Sequence, residues 1–206
     1  MVLWVFGYGS LVWKAGFEYD ERIIGYVKGY RRVFYQASTD HRGTKEYPGR
    51  TVTLEPKEGV ITWGVAYRIS GHDEESLVLS YLDLREREYD VRAYLDFFTV
   101  ECSVTPAIKN VLVYIGSQNR MKNRFYLGPA PLEDMASQIA KAVGPAGPNY
   151  EYLFRLEVAL GEIGCVDDEL SELAKEVRKI LESQNGHSYI FKHLENGVCN
   201  GVCNGS

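Results

Sequence analysis

Between residues 50 and 87 the chain reads RTVTLEPKEGVITWGVAYRISGHDEESLVLSYLDLRER, and its period changes once along the way. Arg50–Leu54 and Val60–Ile69 are rich in β-branched and aromatic residues, the composition of strands. Pro56 and Gly59 punctuate the segment between them, which predicts a turn over Glu55–Gly59 and a hairpin. From His72 the pattern becomes helical. Asp73, Glu74 and Glu75 place acids in a first turn, where the helix dipole favours them. Leu77, Leu79, Tyr81, Leu82 and Leu84 carry the helix to about Arg87.

Upstream, Val2–Phe6 predicts a short buried strand stopped by Gly7, and residues 25–36 predict another. A polar loop spans Thr39–Gly49. Downstream, Val91–Cys102 and Asn110–Ile115 read as strands, and Gly116–Pro131 as a long irregular loop. Helices follow over Leu132–Val143, Asn149–Ile163 and Asp167–Ser183. Strands crowd the first half and helices the last third, with one helix between strands. That order predicts an α+β fold, with a mixed or antiparallel sheet that can close into a barrel. It argues against a doubly wound fold, which alternates strand and helix throughout. Residues 1–183 are expected to form one domain. Residues 184–206, which end in the tandem tetrad GVCN-GVCN, are expected to be a flexible tail.

The 206 residues carry 23 Lys+Arg against 28 Asp+Glu, a net charge of -5. The basic surplus of a phosphate-backbone binder is missing, so a small molecule is the expected partner rather than nucleic acid. No apolar run reaches the roughly 18 residues of a membrane span. The opening Met1–Phe6 run lacks the form of a signal peptide. Cys102, Cys165, Cys199 and Cys203 make no disulfide framework, which suits a reducing compartment and predicts a cytoplasmic location. They also lack zinc-site spacing, so no metal is expected.

Two segments carry chemistry. Phe6-Gly7-Tyr8-Gly9-Ser10-Leu11 ends the first strand with two glycines flanking a tyrosine. Such a loop lets a ligand approach the backbone and lets successive N–H groups form a small anion-binding nest. It matches neither G-x-G-x-x-G nor the P-loop, and Ser10 is not in a G-x-S-x-G elbow. The second segment, Leu82–Tyr89, closes the middle helix with Asp83, Glu86 and Arg87 near one face. An acid there that faces a pocket would have its pKa raised by desolvation.

Taken together, these segments resemble the ChaC-type γ-glutamylcyclotransferases, the glutathione-specific branch. The resemblance runs through Trp4–Trp13, Thr39–Gly43, Pro48–Leu54 and Trp63–Tyr67. It continues through Tyr81-Leu82 with Arg85-Glu86, Tyr114, Tyr126–Pro131 and Glu151–Leu153. One departure stands out: the family follows the Arg-Glu pair with a Gly-Gly-Tyr turn, and here Arg87-Glu88-Tyr89 stands instead.

The resemblance implies a small mixed β-barrel with flanking helices. The implied activity is cleavage of glutathione to 5-oxoproline and cysteinylglycine. It implies Glu86 as the acid/base and Val5, Phe6, Gly7, Tyr8, Gly9, Ser10 and Leu11 as the stretch that grips the γ-glutamyl group. Tyr114 matches a tyrosine lining the same pocket. The chemistry is an internal aminolysis, so no protein nucleophile and no cofactor is required. An ordinary Glu, with a pKa of about 4.3, is too weak a base for the proton shuttle, so Glu86 is expected to be partly desolvated. The amides of Gly7–Ser10 are placed to stabilise the oxyanion. The glycyl carboxylate of the tripeptide needs a cation, with Arg50 favoured over Arg42 and Lys14. His41 is expected to be a loop hydrogen-bonder. Two alternatives remain open: a cyclotransferase for other γ-glutamyl amino acids or amines, and a non-catalytic glutathione sensor.

Overall fold

The structure, a computed structural model, describes the backbone of residues 2–195 and the side chains of residues 2–184. Five strands form a closed barrel: β1 (Val2–Gly7), β2 (Glu21–Ser38), β3 (Gly49–Ser70), β4 (Val91–Phe98) and β5 (Ile108–Ile115), in the order β1-β3-β2-β4-β5. Neighbours are antiparallel except where β1 closes the barrel on β5 in parallel, with Val5 opposite Leu112. The barrel is therefore mixed, as expected. Its β-branched and aromatic residues alternate inward. Val5, Phe6, Val27, Val65, Phe97 and Val113 are all buried in one continuous core cluster.

The hairpin expected within residues 50–69 does not form. The whole stretch is one long strand, β3, paired on one side with β2: Arg50 lies opposite Ala37, Pro56 opposite Tyr30 and Ile61 opposite Lys28. Between Pro56 and Ile61 the register shifts, and Lys57–Val60 bulge out opposite Gly29. Gly29 and Gly59 both take positive φ there, 77° and 76°. Pro56 and Gly59 thus mark a bulge, which twists a strand without reversing it. The true reversal is the polar loop 39–48.

Helix α1 (His72–Arg85) connects β3 to β4. After the irregular stretch 116–131 come α2 (Leu132–Lys141), a two-residue ribbon of β6 (Val143–Gly144) and β7 (Gly147–Pro148), α3 (Asn149–Glu162) and α4 (Asp168–Glu195). Ile139, Leu153, Leu156, Leu173 and Val177 bury one face of this layer in a core continuous with the barrel's. Buried Asn149 fastens α3 to β3, accepting from Arg50 N (2.7 Å) and donating to Arg50 O (2.9 Å). Helix α4 runs past Ser183, where the sequence reading ended it. Gln184-Asn185-Gly186 is poor in helix formers, but propensity is a weak prior once a helix is under way. The rest of the expected tail, with Cys199 and Cys203, lies outside the described residues. No helix among the described residues is long and apolar enough to cross a membrane.

Candidate active site

Strand β1 ends at Gly7, which pairs with Val65, and the chain then turns sharply into a single 3₁₀ turn over Ser10–Val12. The glycines are there for space. A Cβ on Gly7 would lie 2.4 Å from Leu11 Cβ. One on Gly9 would lie 2.8 Å from Val52 Cγ2 and 2.9 Å from the Tyr152 hydroxyl oxygen. The turn is closed by Val12 N donating to Gly9 O (2.9 Å) and Lys14 N to Ser10 O (3.0 Å). Those bonds take up carbonyls and leave the leading N–H groups, of Gly9 and Ser10, unused by the turn. The Tyr8 hydroxyl donates to Tyr114 O on β5 (2.6 Å), which fixes the loop across the barrel mouth.

The acid comes from the end of α1. Val78 and Leu82 anchor that helix in the core, whereas Leu77 and Leu84 are exposed. Glu86 is the first residue beyond it, with φ -99° and ψ 24°, and its N–H donates to Leu82 O (2.7 Å). The cap, rather than a helical face, therefore sets the direction of the Glu86 side chain, which is 14% exposed. Burial pushes its pKa up. The charges of Arg85 and His41 pull it partly back, and Glu88 pushes it up. Arg85 bridges acid and loop. Its Nε lies 3.5 Å from Glu86 Oε1, and its Nη2 donates to Ser10 Oγ (2.8 Å). Its Nη1 donates to Ala15 O (2.6 Å) and to the Tyr81 hydroxyl (3.1 Å).

Loop and acid share a cavity of about 680 Å³, in the usual range for small-ligand sites. Of the residues expected from sequence, Phe6, Tyr8, Gly9, Ser10, Leu11, Glu86 and Tyr114 line it, as do Arg42, Lys14 and His41. Gly7 shapes the turn without lining the cavity. Val5 is buried in the barrel core and does not reach it.

Arg50 does not reach it either. Its Nε donates to Gln138 Oε1 (2.6 Å), and its Nη1 donates to Phe34 O (2.9 Å) and Gly128 O (3.2 Å). It is a buried cross-link between β3, α2 and the stretch before α2, so it is not available to read a substrate carboxylate.

Comparison with known proteins places this arrangement. The family model for ChaC-like protein matches residues 3–180. The chain belongs to the ChaC-like family. "Gamma-glutamylcyclotransferase 2-3" of Arabidopsis thaliana is 54% identical, over 88% of this chain and 91% of its own. "Glutathione-specific gamma-glutamylcyclotransferase 1" of Danio rerio is 46% identical, over 80% and 82%. The crystal structure of the yeast γ-glutamylcyclotransferase specific to glutathione superposes with a TM-score of 0.77. It is 30% identical and covers 86% of this chain and 96% of that one.

Three features of this ChaC-like site were not singled out from sequence. Arg85 stands beside Glu86 in the chain, but its link to Ser10 needs the fold. Tyr89 and Tyr152 converge on Val52: the Tyr89 hydroxyl donates to Val52 O (2.7 Å), and Val52 N donates to the Tyr152 hydroxyl (3.5 Å). Burial raises the pKa of Tyr8, Tyr89, Tyr114 and Tyr152, so these walls stay neutral. The Tyr114 hydroxyl donates to Asp83 Oδ1 (2.8 Å), and Asp83 pairs with Arg92. At the rim, Glu88 Oε1 accepts from Thr39 N (3.1 Å) and Thr39 Oγ1 (2.7 Å). His41 bonds Asp40 (2.7 Å), and Arg87 pairs with the same Asp40. The Arg87-Glu88-Tyr89 segment, the departure from the family turn, thus ties the polar loop to the acid's segment. Among the described residues no group of three or more His, Cys, Asp and Glu side chains is gathered to hold a metal.

Proposed function

We propose that this ChaC-like protein is a glutathione-specific γ-glutamylcyclotransferase that converts glutathione to 5-oxoproline and cysteinylglycine. The observation that carries the reading is the placement of one desolvated carboxyl, Glu86, in the same cavity as the Tyr8–Ser10 loop, with Arg85 joining them. The relatives named above support the choice of substrate.

The chemistry follows from the parts. The substrate's α-amine attacks its own γ-carbonyl carbon. A well-oriented internal attack of this kind reaches effective molarities on the order of 10⁵ M or more, so holding the γ-glutamyl arm folded supplies much of the acceleration. The amine, with a reference pKa of about 8, is mostly protonated near neutrality. One of its protons leaves to water, and Glu86 takes a second from the nitrogen as the neutral amine adds to the carbon. The carbonyl oxygen gains negative charge and is met by the loop N–H groups. The same proton then passes from Glu86 to the cysteinyl nitrogen as the C–N bond breaks, so that the carboxylate is regenerated. Burial raises the pKa of Glu86 toward the working range of such a shuttle. No cofactor takes part in this scheme, and a reducing cytoplasm, where glutathione is held as the thiol, is the matching location.

The glycyl carboxylate falls to the cavity cations in place of Arg50. Lys14, Arg42 and Arg155 line the space. Arg42 already donates to Pro148 O (3.0 Å) and Glu151 Oε2 (3.2 Å).

The test is incubation of the protein with glutathione, oxidised glutathione or γ-Glu-Ala, followed by assay of 5-oxoproline. Glutathione is expected to give 5-oxoproline and Cys-Gly in equal amounts. Intact glutathione at the end of the incubation overturns the reading. Comparable cleavage of γ-Glu-Ala overturns the specificity.

A further inference from the structure

Arg32 lies on β2 and is buried behind the glycine loop, outside the cavity lining. Its guanidinium meets three acceptors from three parts of the chain. Nε donates to Tyr8 O (2.8 Å), Nη1 to Asp167 Oδ2 (2.5 Å) and Nη2 to Trp63 O on β3. Asp167 in turn caps α4. Its Oδ1 accepts from Leu170 N (3.1 Å) and its carbonyl from Ser171 N (2.9 Å). One guanidinium therefore joins the glycine loop to the barrel wall and to the start of the last helix.

The geometry of a peptide unit gives this contact a consequence. The Tyr8–Gly9 peptide is trans. In a planar trans peptide the C=O and the following N–H point in opposite directions. Tyr8 O is drawn away from the cavity toward Arg32, so Gly9 N–H is aimed the other way, into the cavity that Gly9 lines. The 3₁₀ turn leaves that N–H without an internal acceptor, because its first bond uses Gly9 O.

We propose that Arg32 is a positioning residue: by holding Tyr8 O from behind, it fixes the Tyr8–Gly9 peptide so that Gly9 N–H meets the oxyanion of the γ-carbonyl. Its positive charge also polarises that peptide and strengthens the N–H as a donor. This rests on the cyclotransferase reading. Lysine cannot replace it, because one ammonium lacks the rigid fork that spans Tyr8 O, Trp63 O and Asp167.

The experiment compares wild type, Arg32→Lys and Asp167→Asn in glutathione turnover, thermal unfolding and pH profile. Arg32→Lys is expected to lose on the order of 10² in kcat, the effect of one oxyanion donor. Its KM should stay within threefold, and the acid limb of its profile should not move, since Glu86 is untouched. Asp167→Asn keeps a capping side chain and the Tyr8 bond. It should unfold at lower temperature, with a kcat loss smaller than tenfold. The proposal is overturned if folded Arg32→Lys keeps kcat within threefold of wild type, or if its loss appears in KM. Should Arg32→Lys fail to fold, the Gly9 amide resonance of wild type decides. Saturating 5-oxoproline is expected to shift it, and an unmoved Gly9 amide beside shifted cavity neighbours overturns the proposal. Wild type that releases no 5-oxoproline sinks the functional reading instead, which separates the two failures.

Discussion

Gly9→Ala probes the loop with a single methyl group. The added carbon would lie 2.8 Å from Val52 Cγ2 and 2.9 Å from the Tyr152 hydroxyl oxygen, against about 3.5–4.0 Å for an ordinary carbon contact. Neither neighbour yields easily. Val52 is buried, β-branched and stiff about χ1, and its backbone is held by Tyr89 and Tyr152. The loop must therefore move by roughly 1 Å. Overpacking of this kind costs about 1–3 kcal/mol. In a chain of this size each kcal/mol lowers the unfolding temperature by about 2–4 °C. A 1 Å misplacement of a reacting group costs on the order of 10² in rate, or about 2.7 kcal/mol of transition-state stabilisation. The assay is 5-oxoproline release at 25 °C, well below unfolding, with circular dichroism to confirm the fold. We expect kcat/KM to fall about 100-fold. Adding Tyr152→Phe, which removes one of the two obstacles, should restore part of it in a double-mutant cycle. A folded Gly9→Ala with kcat/KM within threefold of wild type would refute the reasoning.

Three further variants separate chemistry from architecture. Arg85→Leu removes the cation nearest Glu86, so the carboxyl holds its proton to higher pH and the acid limb of the kcat profile moves to higher pH. An unmoved limb would contradict the assigned pairing. Arg50→Met leaves Phe34 O, Gly128 O and Gln138 without their donor. It should lower unfolding free energy in urea by about 2–5 kcal/mol while KM for glutathione stays within twofold; a selective rise in KM would return Arg50 to the binding site. Leu82→Ala empties a fully buried anchor of α1 and should cost about 2–5 kcal/mol in the same titration.

What the sequence disclosed was mostly local. The strand Val2–Gly7 and its glycine loop are adjacent in the chain, so period and residue type placed both. The order of strands before helices was enough for an α+β fold with a helical layer, and the closed barrel came with the family resemblance. Pairing was not legible. Pro56 and Gly59 are equally good in a turn and in a bulge, and only the partner strand β2 decides between them. Arg50 follows a glycine at a strand start, which looks accessible. Its burial is imposed by Gln138 and Asn149, about a hundred residues away in the chain. Glu86 was named through the family resemblance. Its direction, however, comes from the helix cap, and its tie to Ser10 comes from Arg85, neither of which periodicity displays. Arg32 was invisible for the same reason, since its three acceptors lie in separate segments.

The central claim is that one carboxyl moves the proton while the loop holds the substrate folded. Glu86→Gln tests it directly, because the amide keeps the shape and cannot shuttle a proton. Glutathione binding, measured by calorimetry, is expected to survive within a few fold, while 5-oxoproline release drops to background at every pH. A Glu86→Gln protein that still turns glutathione over at the wild-type rate contradicts the account.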